Sequence, residues 1–103
     1  LSIEEKYPNL RHENPKIREE TMEQIAEEYT EETISQLITI LDSEDVTYRR
    51  TVTQTLGLIG VDALPFLVQE LDNNDNFLVR ASCVQALGAI AYRTHLGSFI
   101  MSE

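Results

Sequence analysis

Leu41-Asp42-Ser43-Glu44-Asp45-Val46-Thr47-Tyr48-Arg49 and Leu71-Asp72-Asn73-Asn74-Asp75-Asn76-Phe77-Leu78-Val79-Arg80 are two copies of one pattern. Each runs on into a matching pair, Leu56-Gly57 in the first and Leu87-Gly88 in the second. The offset is 30 residues from Leu41 to Leu71 and 31 from Arg49 to Arg80, so one residue is inserted in the turn between them. A fainter copy precedes both: Leu10, Arg18 and Ile25 lie 31 residues before Leu41, Arg49 and Leu56. A fixed period of this length marks a solenoid, which builds an extended surface from neighbouring units rather than one deep pocket.

Inside each unit the apolar residues follow helical spacing, not alternation. Tyr48, Val52, Leu56 and Ile59 share one helix face, as do Val79, Cys83, Leu87 and Ile90. In the first unit the face is Ile17, Thr21 with Met22 beside it, Ile25 and Tyr29. A second helix follows, with Ile34, Leu37, Ile38 and Leu41 in one unit and Leu64, Leu67, Val68 and Leu71 in the next. The spacing predicts helices over 15–29, 32–41, 46–59, 63–72 and 77–91. Asn14-Pro15 supplies a cap and a first-turn proline, and Asp45, Asp62 and Asp75 are placed to cap later helices. Glu31 and Glu32 stand at a helix start, where the macrodipole favours acids. Gly57 and Gly88 each cost roughly 1 kcal/mol in a helix relative to alanine, so close approach of a neighbour is the expected compensation. Gly60 suits a left-handed turn between paired helices. The predicted fold is all-α: a single solenoid over 1–103, with repeats at about 10–40, 41–70 and 71–103, belonging to a longer array. After Ala91 the sequence lacks the second-helix pattern of 62–67.

The net charge is −10, unevenly spread: −6 over residues 1–32 and −4 over 33–103. An acidic surface repels phosphate backbones and anionic headgroups, which argues against nucleic acid and membrane-surface binding, and the absence of an apolar run near the length of a membrane span argues against insertion. It favours a protein partner with a basic or neutral patch. A lone Cys83 excludes an internal disulfide and suits a reducing compartment, cytoplasm or plastid stroma.

The central units resemble the short HEAT repeats of phycobilisome-lyase-like proteins. The shared pattern is an aspartate before the first helix, Tyr48-Arg49 or Val79-Arg80 at its start, and Leu56-Gly57-Leu58-Ile59-Gly60 or Leu87-Gly88-Ala89-Ile90-Ala91 at its end. The likeness is strong over 41–91 and weak over 10–40, where Ala26-Glu27 replaces the Leu-Gly packing. It is specific for fold and not for function. It implies relatives that attach, remove or escort linear tetrapyrroles on phycobiliproteins, or assist photosystem subunits, a setting that extends to the thylakoid periphery. Three functions follow from it. The first is a non-enzymatic interaction scaffold or assembly factor for phycobilisome or photosystem complexes, with no cofactor. The second is a bilin lyase or lyase subunit that would hold bilin, and the third a structural subunit of a large photosynthetic complex.

No catalytic or metal-ligating constellation is present in the sequence. Cys83 aligns with Val52 on a buried face, and His12 and His95 have no ligand spacing to it. Arg49 and Arg80 are expected to pair with aspartates as a structural ladder. The partner-binding candidates are Arg50, an unmatched base, and Phe77, an aromatic in the inserted turn. A ridge of Glu19, Glu20, Glu23, Glu27 and Glu28 completes the set, with a solvated face as the simpler reading.

Overall fold

The computed structural model describes residues 1–96, and these fold into two layers of helices measuring 43 × 32 × 23 Å overall. Six α-helices occur among the described residues, in chain order α1 (Ile3–Lys6), α2 (Pro15–Glu28), α3 (Glu31–Ile38), α4 (Val46–Ile59), α5 (Leu64–Asn73) and α6 (Phe77–Ala91), the last running into a π-helical turn at Tyr92–Leu96. Short 3₁₀ turns at Pro8–Arg11 and Gly60–Ala63 join some of them, and no strand occurs among the described residues. The first helices of successive pairs, α2, α4 and α6, pack side by side in one layer; α1, α3 and α5 follow one another in the second. This is an all-α solenoid. The end of the third repeat, 97–103, lies outside the described residues.

The core is the pair of faces read from the periodicity. Ile25, Leu37, Leu41, Val52, Leu56, Leu67 and Cys83 are fully enclosed. The 31-residue register extends further toward the start of the chain than the repeat boundaries suggest. Ile3, Tyr7 and Leu10 stand 31 residues before Ile34, Ile38 and Leu41, and all six are buried. Residues 1–11 therefore occupy the place of a second helix ahead of α2. Leu87 departs from its predicted role: it is only partly buried, and Ala86 fills the enclosed position beside Cys83 and Ile90.

One arrangement recurs in all three units. Asn14, Asp45 and Asn76 cap α2, α4 and α6, and an arginine follows each cap four residues later. That arginine folds back on the turn before its own helix. Arg18 Nη1 donates to the carbonyls of His12 (2.8 Å) and Glu13 (3.1 Å), and Arg49 Nη1 to that of Ser43 (2.6 Å). Arg80 Nη1 donates to the carbonyls of Leu71 and Asn74. The expected aspartate ladder is thus replaced by a ladder of charged donors on turn carbonyls. The reason is reach: the carbonyl six residues back lies at the arginine tip in each unit, whereas two of the three caps are neutral asparagines and the third, Asp45, is engaged by the Tyr48 amide and by Arg11. The cap of α6 also corrects a prediction. Asn76 takes the place expected for Asp75, because the inserted residue precedes the cap and shifts it into the arginine's register.

Two further caps differ. Asp62 does not cap α5, whose first residue is preceded by Ala63 without a side-chain cap; Asp62 instead accepts from Tyr29 Oη. Thr30 caps α3 through Thr33, with Glu31 and Glu32 in the first turn as predicted, but the helix ends at Ile38 and turns occupy the rest of 32–41. The stretch Val46–Asn73 is long and apolar enough to cross a membrane by length and composition alone. It is broken at Gly60, whose φ of 87° is open to a residue without Cβ, and it folds back as α4 and α5.

Thr51, Thr53 and Thr55 are buried on α4, yet no buried side-chain polar atom among the described residues lacks a partner. Each hydroxyl donates to the carbonyl four residues back, at 2.7–2.8 Å. Three tyrosines tie units together in the same economical way. Tyr7 donates to Glu28 (2.7 Å), Tyr48 to Glu4 (3.0 Å), and Tyr29 to Asp62.

Candidate functional site

The outward side of the α2–α4–α6 layer is where the candidate residues collect. Because the units share one register, equivalent positions can be compared directly along the layer. Glu19, Arg50 and Ala81 are equivalent, as are Glu23, Gln54 and Gln85. At one outward position the side chain thus changes from acid on α2 to base on α4 and to methyl on α6. The helices as wholes do the same: α2 has five glutamates against Lys16 and Arg18, whereas α4 and α6 contain Arg49, Arg50 and Arg80 and no acid.

Two grooves cross this surface. The larger, about 320 Å³, has Glu19 and Glu23 on the α2 side and Gln54, Gly57 and Leu58 on α4. Ala89 and Arg93 close its far end, and Met22 contributes to its floor. Gly57 matters here: a Cβ on it would stand 3.2 Å from Ala89 Cβ, so α4 and α6 approach closely because this position has no side chain. The predicted equivalent role of Gly88 does not hold. A Cβ there would meet no described atom within 4 Å, since no described helix covers that side of α6.

The smaller groove, about 190 Å³, lies between the N-terminal halves of α4 and α6 and brings Arg50 and Phe77 together. Val46, Leu78, Ala81 and Gln85 complete most of its lining. Phe77 is 80% exposed and Val46 48%. Arg50 is exposed, and among the described residues no acid lies within ion-pair distance of it. By contrast Arg49, which also borders the groove, is committed to Ser43.

The register separates surface from stacking edge. The equivalents of Phe77 are Val46 and Pro15, and both stay exposed although a further helix packs beside each of their own. Exposure at the Phe77 position is therefore built into the repeat. The equivalents of the exposed Val84 are Thr53 and Met22, both buried by the next helix. Val84 and Gly88 mark the edge on which a unit stacks; this distinction needs the three-dimensional register and is not visible in composition.

The glutamate ridge is not one unit. Glu19 and Glu23 face the larger groove, and Glu20 and Glu27 are exposed on the same helix. Glu28 is separate: it accepts from Tyr7 and from Gln24, so it holds residues 1–11 against α2. The Tyr7 phenol is pushed up to about 12 by burial and by that carboxylate, and Tyr48 is raised for the same reasons beside Glu4. Arg11 stacks over the Tyr48 ring at 4.4 Å and pairs with Asp45 at 3.0 Å. The amide N–H of Tyr48, first, and this guanidinium, second, hold the Asp45 carboxyl below its ordinary range. Cys83 is fully enclosed, and burial raises its thiol pKa, which makes it a core residue rather than a nucleophile. His12 uses Nδ1 to accept from the Asn14 amide at 3.0 Å, and no group of acids, cysteines and histidines among the described residues is placed to hold a metal.

Comparison with known proteins agrees with this architecture. The family model for HEAT repeats matches residues 7–88. The "Uncharacterized phycocyanin operon protein Z" of Pseudanabaena tenuis is 43% identical over 90 residues, 87% of this chain and 45% of that protein. The "Bilin biosynthesis protein CpeZ" of a Synechococcus is 33% identical over 67 residues, 65% of this chain and 36% of that protein. The chain thus spans less than half the length of either relative. No solved structure matches it significantly.

Proposed function

This chain belongs to the HEAT-repeat family, and from that premise we propose that it is a non-enzymatic interaction module that binds phycobiliproteins or their assembly complexes. The observation that carries the reading is the change of sign along one continuous helix layer, from the acids of α2 to the bases and exposed apolar residues of α4 and α6. Such a surface suits an extended protein face, because affinity is then drawn from several units. Its acidic end accepts a basic or neutral patch. The setting is supplied by the names of the two relatives, one tied to phycocyanin and one to bilin biosynthesis. On this reading the protein works in the cytoplasm or stroma beside the thylakoid, and a further helix pair covers the Val84–Gly88 edge of α6.

A second reading, a bilin lyase or lyase subunit, is favoured by the printed name of the Synechococcus relative. Two of the described grooves suit that chromophore poorly, and in a third, about 300 Å³, the arginines are already engaged, Arg11 by Asp45 and Arg18 by the carbonyls of His12 and Glu13. A linear tetrapyrrole presents carboxylates, whereas the 390 Å³ groove beside α1 offers Glu4 and Glu5 and no base. The 320 Å³ groove sets Glu19 and Glu23 against Arg93. Both therefore repel the carboxylates more than they hold them. The discriminating experiment is visible absorbance of the purified chain mixed with free bilin, beside a binding assay with purified phycobiliprotein. The scaffold reading expects phycobiliprotein binding and an unshifted bilin spectrum. A shifted spectrum with transfer of bilin to the acceptor would overturn it in favour of the lyase.

A further inference from the structure

We infer that the shallow groove between α4 and α6 is the docking site for a segment of the partner protein that presents an acidic side chain beside an apolar one. The inference rests on the interaction-module reading above and names the chemistry at one part of its surface.

Charge complementarity selects the acid. In a chain of net charge −10, α4 and α6 together contain no Asp or Glu. Of their three arginines, Arg49 and Arg80 are held by turn carbonyls, which leaves Arg50 exposed at the groove with no described acid in ion-pair reach. A guanidinium presented in this way takes a carboxylate in a planar, two-pronged contact. The apolar half of the ligand is set by Phe77 and Val46, which flank Arg50 and sit at a position the repeat keeps open even where a following helix is packed. Aromatic residues, phenylalanine among them, and arginine are enriched in the cores of protein interfaces.

Volume selects a peptide over a cofactor. The groove holds about 190 Å³, whereas small-molecule sites run to roughly 300–1,000 Å³. It has room for one or two side chains. A nucleic acid would satisfy Arg50 but would then run along the glutamates of α2, in the same layer, and be repelled. A second copy carries the same −10 charge, which opposes self-association at low salt.

The test is selection of a random-peptide phage library on the full chain, followed by fluorescence anisotropy of the strongest peptide at several salt concentrations. Enriched peptides should place Asp or Glu within a helical turn of Leu, Ile or Phe. Arg50→Glu should weaken binding about tenfold or more at low salt, with the gap narrowing as salt rises. Phe77→Ala should weaken it about tenfold at every salt concentration. Both side chains are exposed, and circular dichroism checks that each variant keeps its helices. A basic consensus, no consensus, or a peptide indifferent to both substitutions would overturn the inference. So would dimerisation of the wild type that Phe77→Ala abolishes, which would give the groove to a second copy. Failure of the broader reading looks different: phycobiliprotein does not bind, while the acidic–apolar peptide still binds through Arg50 and Phe77. Phycobiliprotein that binds wild type, Arg50→Glu and Phe77→Ala equally well would leave the broader reading standing and remove this site.

Discussion

Replacing Arg49 by methionine tests whether the recurring arginines are held by carbonyls or by carboxylates. Arg49 is half-buried and its Nη1 donates to Ser43 O at 2.6 Å, across the turn that leads into α4. A hydrogen bond from a charged donor contributes about 1.5–3 kcal/mol, and water replaces part of it at a half-exposed site, so about 1.5 kcal/mol is the expected loss. With a urea slope of roughly 1–3 kcal/mol per molar, the unfolding midpoint should fall by about 0.5–1.5 M. The assay is urea unfolding followed by helical circular dichroism, run at low salt and at about 1 M salt, where the screening length is only roughly 3 Å. A carbonyl has no net charge, so the loss should persist at high salt. Arg49→Lys should recover only part of it, because a single ammonium does not reproduce the reach and orientation of the guanidinium. A loss that disappears at high salt, or full rescue by lysine, would restore the ion-pair ladder and refute the reasoning.

Other substitutions separate neighbouring roles in the same helices. Leu56→Ala, at a fully enclosed site, should cost about 2–5 kcal/mol, and Leu87→Ala, only partly buried, clearly less; comparable losses in urea unfolding would show that the two positions are packed alike. Gly88→Ala should stabilise the chain by up to about 1 kcal/mol through helix propensity, whereas Gly57→Leu should destabilise it by about 1–3 kcal/mol against Ala89; thermal midpoints moving the same way in both would contradict the close approach of α4 and α6. In ultraviolet titration Tyr7 should ionise only near pH 12. Its folded pKa is raised, so its contribution to stability is intact below the ordinary phenol pKa near 10 and is lost as pH climbs toward 12; Tyr7→Phe should remove its share of the alkaline loss and leave the shares of Tyr48 and Tyr29, which are raised as well. Cys83 should resist a thiol reagent until the chain unfolds, and rapid labelling of the native protein would show that α6 is not seated as described.

The helices and their order were legible because each unit has a 3.6-residue apolar period punctuated by caps, prolines and glycines. Gly60, Asn14 and Asp45 play the parts that local rules give them. What the sequence concealed depends on neighbours. The insertion between Leu71 and Asn76 moved the cap by one residue, and only the arginine offset of 31 carried that signal. Leu10 was legible as the start of the faint first copy, but Ile3 and Tyr7 have no signature of their own, because α1 is too short to show helical periodicity by itself. Their spacing matches Ile34 and Ile38 once the register is followed back from Leu10. Arginine partners could not be assigned, since a carbonyl six residues back has no sequence signature. The split of the glutamate ridge, with Glu28 taken by Tyr7, is equally a matter of which helix lies alongside.

The most direct test of the account is a calorimetric titration of the full chain with purified phycobiliprotein, with no free bilin present. Saturable binding is expected that weakens with salt, is reduced by Arg50→Glu and by Phe77→Ala, and needs no chromophore transfer. Absence of any binding, together with bilin attachment to the acceptor by this chain alone, would contradict it.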